Sequence, residues 1–147
     1  MSEPTVRLRR ADGEAMAYVE RVLEQANLPT GDLDSGPIRL YVAESEPGRV
    51  GVGGLEVYDT VGLLRSVAVE PDHRGSGYGR AVVDALEAEA RSDGLDALYL
   101  LTTTAAAFFD DLGYTEIPRD EPPTSIQETT QFSELCPTSA VCMRRSP

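Results

Sequence analysis

Hydrophobic residues near the start of the chain change from a strand-like to a helix-like spacing. Val6 and Leu8 alternate with polar residues, which predicts a short strand over Thr5–Arg9. Apolar residues then recur at helical spacing as far as about Gln25, and Asp12 is placed to cap the start of that helix. The apolar positions of the predicted helix are Ala15, Met16, Val19, Val22, Leu23 and Ala26.

Three short apolar segments come next, each separated from the following one by residues typical of tight turns. They cover Ile38–Glu44, Val50–Tyr58 and Gly62–Val69. The turns are Glu46-Pro47-Gly48 and Asp59-Thr60, whose lengths suit β-hairpins. The pattern therefore predicts three consecutive antiparallel strands.

Beyond Pro71 the pattern alternates between helices and strands. One apolar stripe predicts a helix over Gly77–Ser92, with Gly94 as its stop signal. We expect residues 1–147 to form one α/β domain of the α+β kind, because no repeat and no second core pattern is present. The other predicted elements are a strand over Leu95–Thr102, a helix over Ala105–Leu112 closed by Gly113, a strand from Tyr114 to Ile117, a helix over Ile126–Leu135 and a strand over Ala140–Arg144.

The chain is strongly acidic and contains no lysine. Its net charge is −12, and all 13 basic residues are arginine. Repulsion between surface carboxylates is screened best at molar salt, where the Debye length falls to about 3 Å, so we interpret the composition as that of a halophile's protein. The alternative is a genome whose codon usage favours Arg over Lys. Either origin disfavours binding to nucleic acid or to an anionic membrane.

No segment has the features of a membrane span or of a secretory signal. No apolar run approaches the ~18 residues that a span needs, and the first residues lack a basic region followed by an apolar one. We therefore expect a cytoplasmic protein. The single histidine, His73, and the two cysteines do not supply a convincing set of metal ligands, so we expect no metal site.

The segment from Val67 to Arg80 has the features of a phosphate-binding turn. A predicted strand runs into a loop that contains Gly75, Gly77 and Gly79, and the loop opens a helix. Glycines let a ligand approach the backbone, and the N–H groups and dipole of a helix N-terminus attract an anion. A Walker loop is excluded because it requires Lys, and a dinucleotide fingerprint because its third Gly would stand one position later. The alternative is a tight turn without a ligand.

Two motifs resemble those of the GNAT superfamily of N-acetyltransferases. Arg74-Gly75-Ser76-Gly77-Tyr78-Gly79 resembles the Arg/Gln-x-x-Gly-x-Gly/Ala acetyl-CoA signature, and Phe108-Phe109-x-x-Leu112-Gly113-Tyr114 resembles the downstream Phe-Tyr-x-x-Leu-Gly-Phe element. The resemblance implies the GNAT fold, which is a mixed, mostly antiparallel sheet of six to seven strands flanked by helices. Its fourth and fifth strands splay to admit the pantetheine arm of acetyl-CoA, which is the implied co-substrate.

The same resemblance implies which residues bind acetyl-CoA. Backbone N–H groups around Val67 and Val69 would bind pantetheine and polarise the thioester carbonyl, and those of the glycine loop would hold the pyrophosphate. The implied cofactor-binding set is Val67, Ala68, Val69, Arg74, Gly75, Ser76, Gly77, Tyr78, Gly79, Arg80, Thr103, Thr104 and Phe108.

Three further segments are similar to the arsenic-resistance-associated branch of this superfamily. They lie at residues 63–69, 99–104 and 132–140. The similarity implies an amine acceptor connected with arsenic detoxification. We expect Cys136 and Cys142 to be small buried hydrophobic residues in a reducing cytosol. Coordination of trivalent arsenic by the pair is the alternative.

The sequence departs from the family at its catalytic positions. Phe109 stands where many family members have a Tyr, which is interpreted as the acid that protonates the departing thiolate. The loss of this acid is tolerable, because a thiol with a pKa of about 8.5 leaves readily as the thiolate. Arg65 stands where a carboxylate is common, so Glu56 on the neighbouring strand is the best candidate for the base, with Ser66 as a second catalytic candidate. The alternative for Glu56 is a solvent-facing strand residue. Arg65 and Phe109 are assigned to the acceptor, and Arg65 suits a carboxylate or an oxyanion.

The sequence therefore predicts an acetyl-CoA-dependent N-acetyltransferase that acts on a primary amine of a small molecule. Two alternatives stay open, a sensor that binds acetyl-CoA without catalysis and an enzyme that acetylates proteins or peptides. An Asn often found before the Phe108 helix is missing, and Thr103 or Thr104 is expected to make its hydrogen bond. A homodimer is a further expectation, since homodimers are common in this superfamily.

Overall fold

A computed structural model of the chain describes residues 5–28, 30, 38–45, 48–75, 77–103, 105–129 and 140–147. Within these ranges the chain forms seven β-strands and four α-helices, with a short 3-10 turn at Pro71–His73. The strands are β1 (Arg7–Arg10), β2 (Ile38–Ser45), β3 (Gly48–Tyr58), β4 (Val61–Val69), β5 (Ala97–Thr102), β6 (Thr115–Ile117) and β7 (Val141–Arg145). The helices are α1 (Ala15–Gln25), α2 (Tyr78–Ser92), α3 (Ala106–Asp111) and α4 (Thr124–Gln127).

The seven described strands form one mixed sheet in the order β1-β2-β3-β4-β5-β7-β6. The pairing between β4 and β5 is parallel, and every other described pair of neighbours is antiparallel. The three central antiparallel strands predicted from the hydrophobic pattern are β2, β3 and β4. The prediction of a mixed, mostly antiparallel sheet of six to seven strands flanked by helices is confirmed.

Helices cover both faces of the sheet. On one face α2 and α3 pack over a cluster that includes Val82, Leu86 and Phe109. The helix α2 comes very close to the sheet at Gly53 of β3. A Cβ on Gly53 would lie only 2.6 Å from Leu86 Cδ1. On the other face α1 packs through Val19, Val22 and Leu23, and Ile126 of α4 lies in a neighbouring cluster. The site described below lies where the sheet opens between these two layers.

Two predicted helix boundaries are wrong. The helix α1 begins at Ala15, and no side chain caps it, so Asp12 is not the N-cap predicted from the sequence. Gly13, at φ +51°, holds the backbone outside the helical region and delays the start. The helix predicted over Ile126–Leu135 begins at Thr124 and ends at Gln127, and residues 130–135 lie outside the described ranges.

Candidate active site

The strands β4 and β5 separate at one end of the sheet. Their parallel pairing runs from Val61 opposite Ala97 to Leu63 opposite Tyr99 and stops there, although β4 continues to Val69 and β5 to Thr102. The splayed fourth and fifth strands implied by the family resemblance are therefore present. A cavity of about 650 Å³ occupies the opening, and this size lies within the range of small-molecule sites.

A β-bulge in β4 shapes the wall of this cavity. Val52 of β3 pairs with Ala68 and Gly54 pairs with Arg65, so two residues of β4 stand opposite the single residue between them on β3. One of the two, Ser66, has φ +57°, a left-handed conformation that is rare for a residue with a side chain. Bulges of this kind redirect backbone groups and occur next to active sites. The bulge turns the backbone of β4 at the point where the strands part.

Most of the residues predicted for the site line this cavity. They come from β4 and its bulge, from the glycine loop, from the end of β5 and from α3. The predicted residues found there are Arg65, Ser66, Val67, Ala68, Val69, Arg74, Gly79, Thr103, Phe108 and Phe109.

The glycine loop has the geometry expected of a ligand cradle. Gly75 and Gly77 have φ of +83° and +87°, conformations that favour glycine, and a Cβ on Gly75 would meet open space. Gly79 lies in the first turn of α2, where a Cβ would approach the Phe108 ring to 3.3 Å. The loop is tied to β4 by Arg74, whose Nε donates to the carbonyl of Val69 at 3.0 Å. The cradle and the adjoining cavity fit the pyrophosphate and pantetheine parts of acetyl-CoA.

Some predicted residues lie beside the cavity and not on its wall. Gly75, Gly77, Tyr78 and Arg80 belong to the loop and the first turn of α2, and none of them is among the described lining residues. Their assignment to the cofactor stays a prediction. Ser76 and Thr104 fall outside the described ranges.

Glu56 forms a buried ion pair with Arg65. Arg65 Nη1 lies 2.8 Å from Glu56 Oε2, and the two side chains are 0% and 4% exposed, respectively. The hydroxyl of Tyr58 donates to Glu56 Oε1, and Arg65 Nε donates to Ser66 Oγ at 3.0 Å. The alternative of a solvent-facing Glu56 is therefore wrong. Both oxygens of its carboxylate accept hydrogen bonds, and Glu56 is not among the described residues that line the cavity.

Comparison with a known family decides the identity of this domain. Residues 36–116, just over half of the chain, match the family model described as "Acetyltransferase (GNAT) domain". The chain belongs to the GNAT family of acetyltransferases.

Known proteins similar to this GNAT domain include larger enzymes. An amino-acid acetyltransferase from Enterobacter sp. (strain 638) is 36% identical over 74 residues, which are 50% of this chain and only 17% of that enzyme. The structure of N-acetylglutamate synthase from Neisseria gonorrhoeae, complexed with coenzyme A and N-acetyl-glutamate, superimposes with a TM-score of 0.79 at 18% identity, over 99% of this chain and 36% of that one. The chain therefore spans well under half the length of these two proteins.

Another similar structure is that of an enzyme of nearly the same length, whose name gives a protein as its acceptor. The ribosomal-protein-S18-alanine N-acetyltransferase from Escherichia coli superimposes with a TM-score of 0.72 at 16% identity, over 97% of this chain and 94% of that one. At identities of 18% and 16%, these superpositions show a shared fold and nothing further. The family match and the fold together confirm, at the level of the family, the predictions of a GNAT fold, of an acetyltransferase and of acetyl-CoA as its co-substrate.

Several cavity-lining residues of this GNAT domain were missed by the sequence interpretation. Thr102 Oγ1 accepts a hydrogen bond from Ala105 N at 3.0 Å, so Thr102 satisfies the backbone before α3. The hydrogen bond expected of Thr103 or Thr104 stays a prediction. The end of α1 also reaches the cavity. A polar residue next to a helix stop, as in Asn27-Leu28-Pro29, was a usable signal. The missed lining residues are Gln25, Ala26, Asn27, Leu28, Leu64, Leu100, Leu101, Thr102 and Ala105.

The cavity of this acidic GNAT domain is lined by cations without carboxylates. Arg65 and Arg74 are the charged residues among its described lining, in a chain whose net charge is −12. The local field therefore favours an anionic group beside Arg74, whereas the charge of Arg65 is balanced by Glu56 at 2.8 Å. Within the described ranges no three His, Cys, Asp or Glu side chains are close enough to hold a metal ion, and no helix there is long and apolar enough to cross a membrane.

Cys142 is a buried free thiol in β7. Burial raises the pKa of this thiol to about 11, which keeps it protonated at neutral pH. This agrees with the expectation of a small buried hydrophobic residue and disfavours the thiolate that would coordinate trivalent arsenic. Cys136 lies outside the described ranges.

Proposed function

We propose that this GNAT domain transfers the acetyl group of acetyl-CoA to the primary amine of a small molecule that also carries a carboxylate or another oxyanion. The observation that carries the proposal is the cavity between β4 and β5, whose described lining contains Arg65 and Arg74 and no carboxylate. Arg74 belongs to the glycine loop, where a pyrophosphate is expected. Arg65 keeps its ion pair with Glu56, and we assign to its guanidinium a further hydrogen bond to an acidic group of the acceptor.

The donor half of the site uses backbone groups of β4 and the glycine loop. Acetyl-CoA supplies an acetyl thioester whose carbonyl is open to attack by an amine. The backbone N–H groups of Val67 and Val69, which the bulge at Ser66 directs, would polarise that carbonyl. The loop around Gly77 and the N-terminus of α2 would bind the pyrophosphate, and the exposed ring of Phe108 would cover the cofactor beside Gly79.

The acceptor half uses Arg65, Ser66 and the end of α1. Arg65 is fixed by Glu56 and Ser66, so its guanidinium needs little reorganisation to hold an acidic group. We keep Glu56 as the proposed base, acting through water, because no carboxylate lies nearer among the described lining residues. Phe109 contributes apolar surface and cannot donate a proton.

A protein or peptide acceptor is the second candidate function. It is favoured by the fold shared with the ribosomal-protein-S18-alanine N-acetyltransferase over nearly the whole chain. The cavity of about 650 Å³ with its buried Arg65 favours a small molecule instead. A link to arsenic detoxification, a cytoplasmic location, a halophilic source and a homodimer stay predictions from the sequence.

Release of free thiol from acetyl-CoA tests the proposal directly. L-glutamate and L-leucine would each be compared with their α-carboxamides and with a short peptide, at equal concentrations of free amine. We expect the two amino acids to be acetylated faster than their amides. Equal or faster reaction of the amides would contradict an acidic acceptor, and preference for the peptide would support the second candidate. Tight binding of acetyl-CoA without release of thiol would indicate a sensor.

A further inference from the structure

Three helices of this domain end in the same hydrogen-bonded motif. In α2, Leu95 N bonds to Ala90 O and Gly94 N to Arg91 O, each at 3.0 Å. In α3, the corresponding bonds join Tyr114 to Phe109 and Gly113 to Asp110. These pairs of bonds define a Schellman motif, in which the residue after the helix cap adopts a left-handed conformation. Gly94 and Gly113 take that position with φ of +76° and +101°.

The helix α1 ends in this motif without a glycine. Leu28 N bonds to Leu23 O at 2.9 Å, and Asn27 N bonds to Glu24 O at 3.1 Å. Asn27 has φ +58°, and Leu28 packs against the cluster that contains Leu23, which completes the motif. Glycine adopts this conformation without a steric penalty, and asparagine tolerates it less well. The backbone alone therefore does not select Asn27 over glycine.

Asn27 differs from the two glycines in what it borders. It lines the cavity between β4 and β5 together with Gln25, Ala26 and Leu28, whereas Gly94 and Gly113 do not. The end of α1 belongs to the face of the sheet opposite α2 and α3. In the proposed function the glycine loop and α2 hold the cofactor on their own face, which leaves the end of α1 to border the acceptor.

We propose that Asn27 is a specificity-determining residue, whose carboxamide forms a hydrogen bond with the acceptor. The inference rests on the proposed function, because it assigns the acceptor to the half of the cavity that α1 and Arg65 border. A carboxamide both donates and accepts hydrogen bonds, and it adds no charge to a cavity whose described charged residues are arginines. It can therefore complement Arg65 in holding an acidic acceptor.

The substitution Asn27→Gly isolates the side chain from the backbone. Glycine keeps the left-handed conformation and the Schellman bonds, so the variant should melt at the wild-type temperature or above it. The matched control is Asp59→Gly. Asp59 has φ +59° in the turn between β3 and β4, and it is not among the described residues of the cavity. Both variants remove a polar side chain from a left-handed residue, and only one of them borders the site.

The proposal is tested by measuring KM for the acceptor and for acetyl-CoA. The acceptor probe is the carboxylate-bearing amine of the panel above that the wild-type protein acetylates fastest. We expect Asn27→Gly to raise the KM for this acceptor about fivefold to tenfold, the effect of one lost hydrogen bond, and to leave the KM for acetyl-CoA unchanged. Asn27→Asp should raise the acceptor KM further, because it adds a negative charge beside an acidic acceptor. Asp59→Gly should change neither value.

The possible failures are distinguishable. An unchanged acceptor KM in a folded, active Asn27→Gly variant would overturn this inference and leave the proposed function standing. A lower acceptor KM in Asn27→Asp would also overturn it, because the group beside Asn27 would then be cationic. If the wild-type protein acetylates no amine, the proposed function and this inference both fail.

Discussion

Arg65 Nη1 lies 2.8 Å from Glu56 Oε2, and both side chains are almost completely buried. The pair joins neighbouring strands, since Glu56 belongs to β3 and Arg65 to β4, directly before the bulge. A buried charge that loses its partner destabilises the folded state strongly, whereas a complete buried pair contributes little net stability. The pair therefore ties the position of a cavity-lining cation to the folding of the central strands.

Glu56→Gln should destabilise the protein by about 3–5 kcal/mol, because it removes the carboxylate charge that balances the buried guanidinium of Arg65. The matched control is Glu44→Gln. Glu44 pairs with Arg9 at 3.2 Å on the surface, where the Arg9 side chain is 68% exposed, and exposed pairs contribute at most about 1 kcal/mol. Urea denaturation of both variants measures the difference. Equal small losses would show that a buried Arg65 does not need the negative charge of Glu56.

The rate of acetyl transfer should rise with pH toward the pKa of the free amine of the acceptor, because the amine must lose a proton to attack. If Glu56 assists that step through water, Glu56→Gln lowers the rate over this range while the affinity for acetyl-CoA stays near that of the wild type. Rates of thiol release between pH 6 and 10, on samples checked for folding, test this. Full activity in Glu56→Gln would assign the base to water or to another residue.

Restoring a hydroxyl at the position of Phe109 should change the turnover rate only modestly. The leaving thiol has a pKa near ~8.5 and departs readily as the thiolate, so a phenol near pKa ~10 gives limited help. Phe109→Tyr is therefore expected to change kcat by less than about tenfold. An increase of a hundredfold or more, in the range of full general acid catalysis, would contradict the view that this acid is dispensable.

Part of this site could be predicted from the sequence because its chemistry lies in local motifs. The loop from Arg74 to Gly79 and the strand before it carry their own signal, and Val67 and Val69 line the cavity as expected. The order and type of the strands followed from alternation and turn residues in the same way. Each of these features depends on neighbours that are close in the chain.

The features of the site that the sequence did not predict depend on contacts between residues that are distant in the chain. Glu56 was proposed as a base on grounds of strand position, but its burial and its pairing with Arg65 depend on the register between β3 and β4. The bulge at Ser66 is set by that same register and leaves no composition signal. The packing of the end of α1 against the sheet brings Asn27 to the cavity, and a single sequence does not contain that information.

Stability should increase with salt if the acidic, lysine-free composition is an adaptation to a saline cytosol. Molar KCl screens the repulsion that a net charge of −12 produces. The melting temperature in 2 M KCl is expected to exceed that in dilute buffer, and sorbitol at matched osmolality serves as the uncharged control. A melting temperature that is flat or falls with KCl would rule out the halophile interpretation.

The central claim, that acetyl-CoA binds where β4 meets the glycine loop and α2, is tested most directly by calorimetric titration of one variant. Gly79→Glu places a carboxylate beside Val69 and Phe108, where phosphate or pantetheine must approach the backbone. Ala88→Glu adds the same charge at an exposed position of the same helix. We predict that the wild type and Ala88→Glu bind acetyl-CoA alike, and that folded Gly79→Glu loses binding by at least about a hundredfold. Equal affinity in all three proteins would contradict the account.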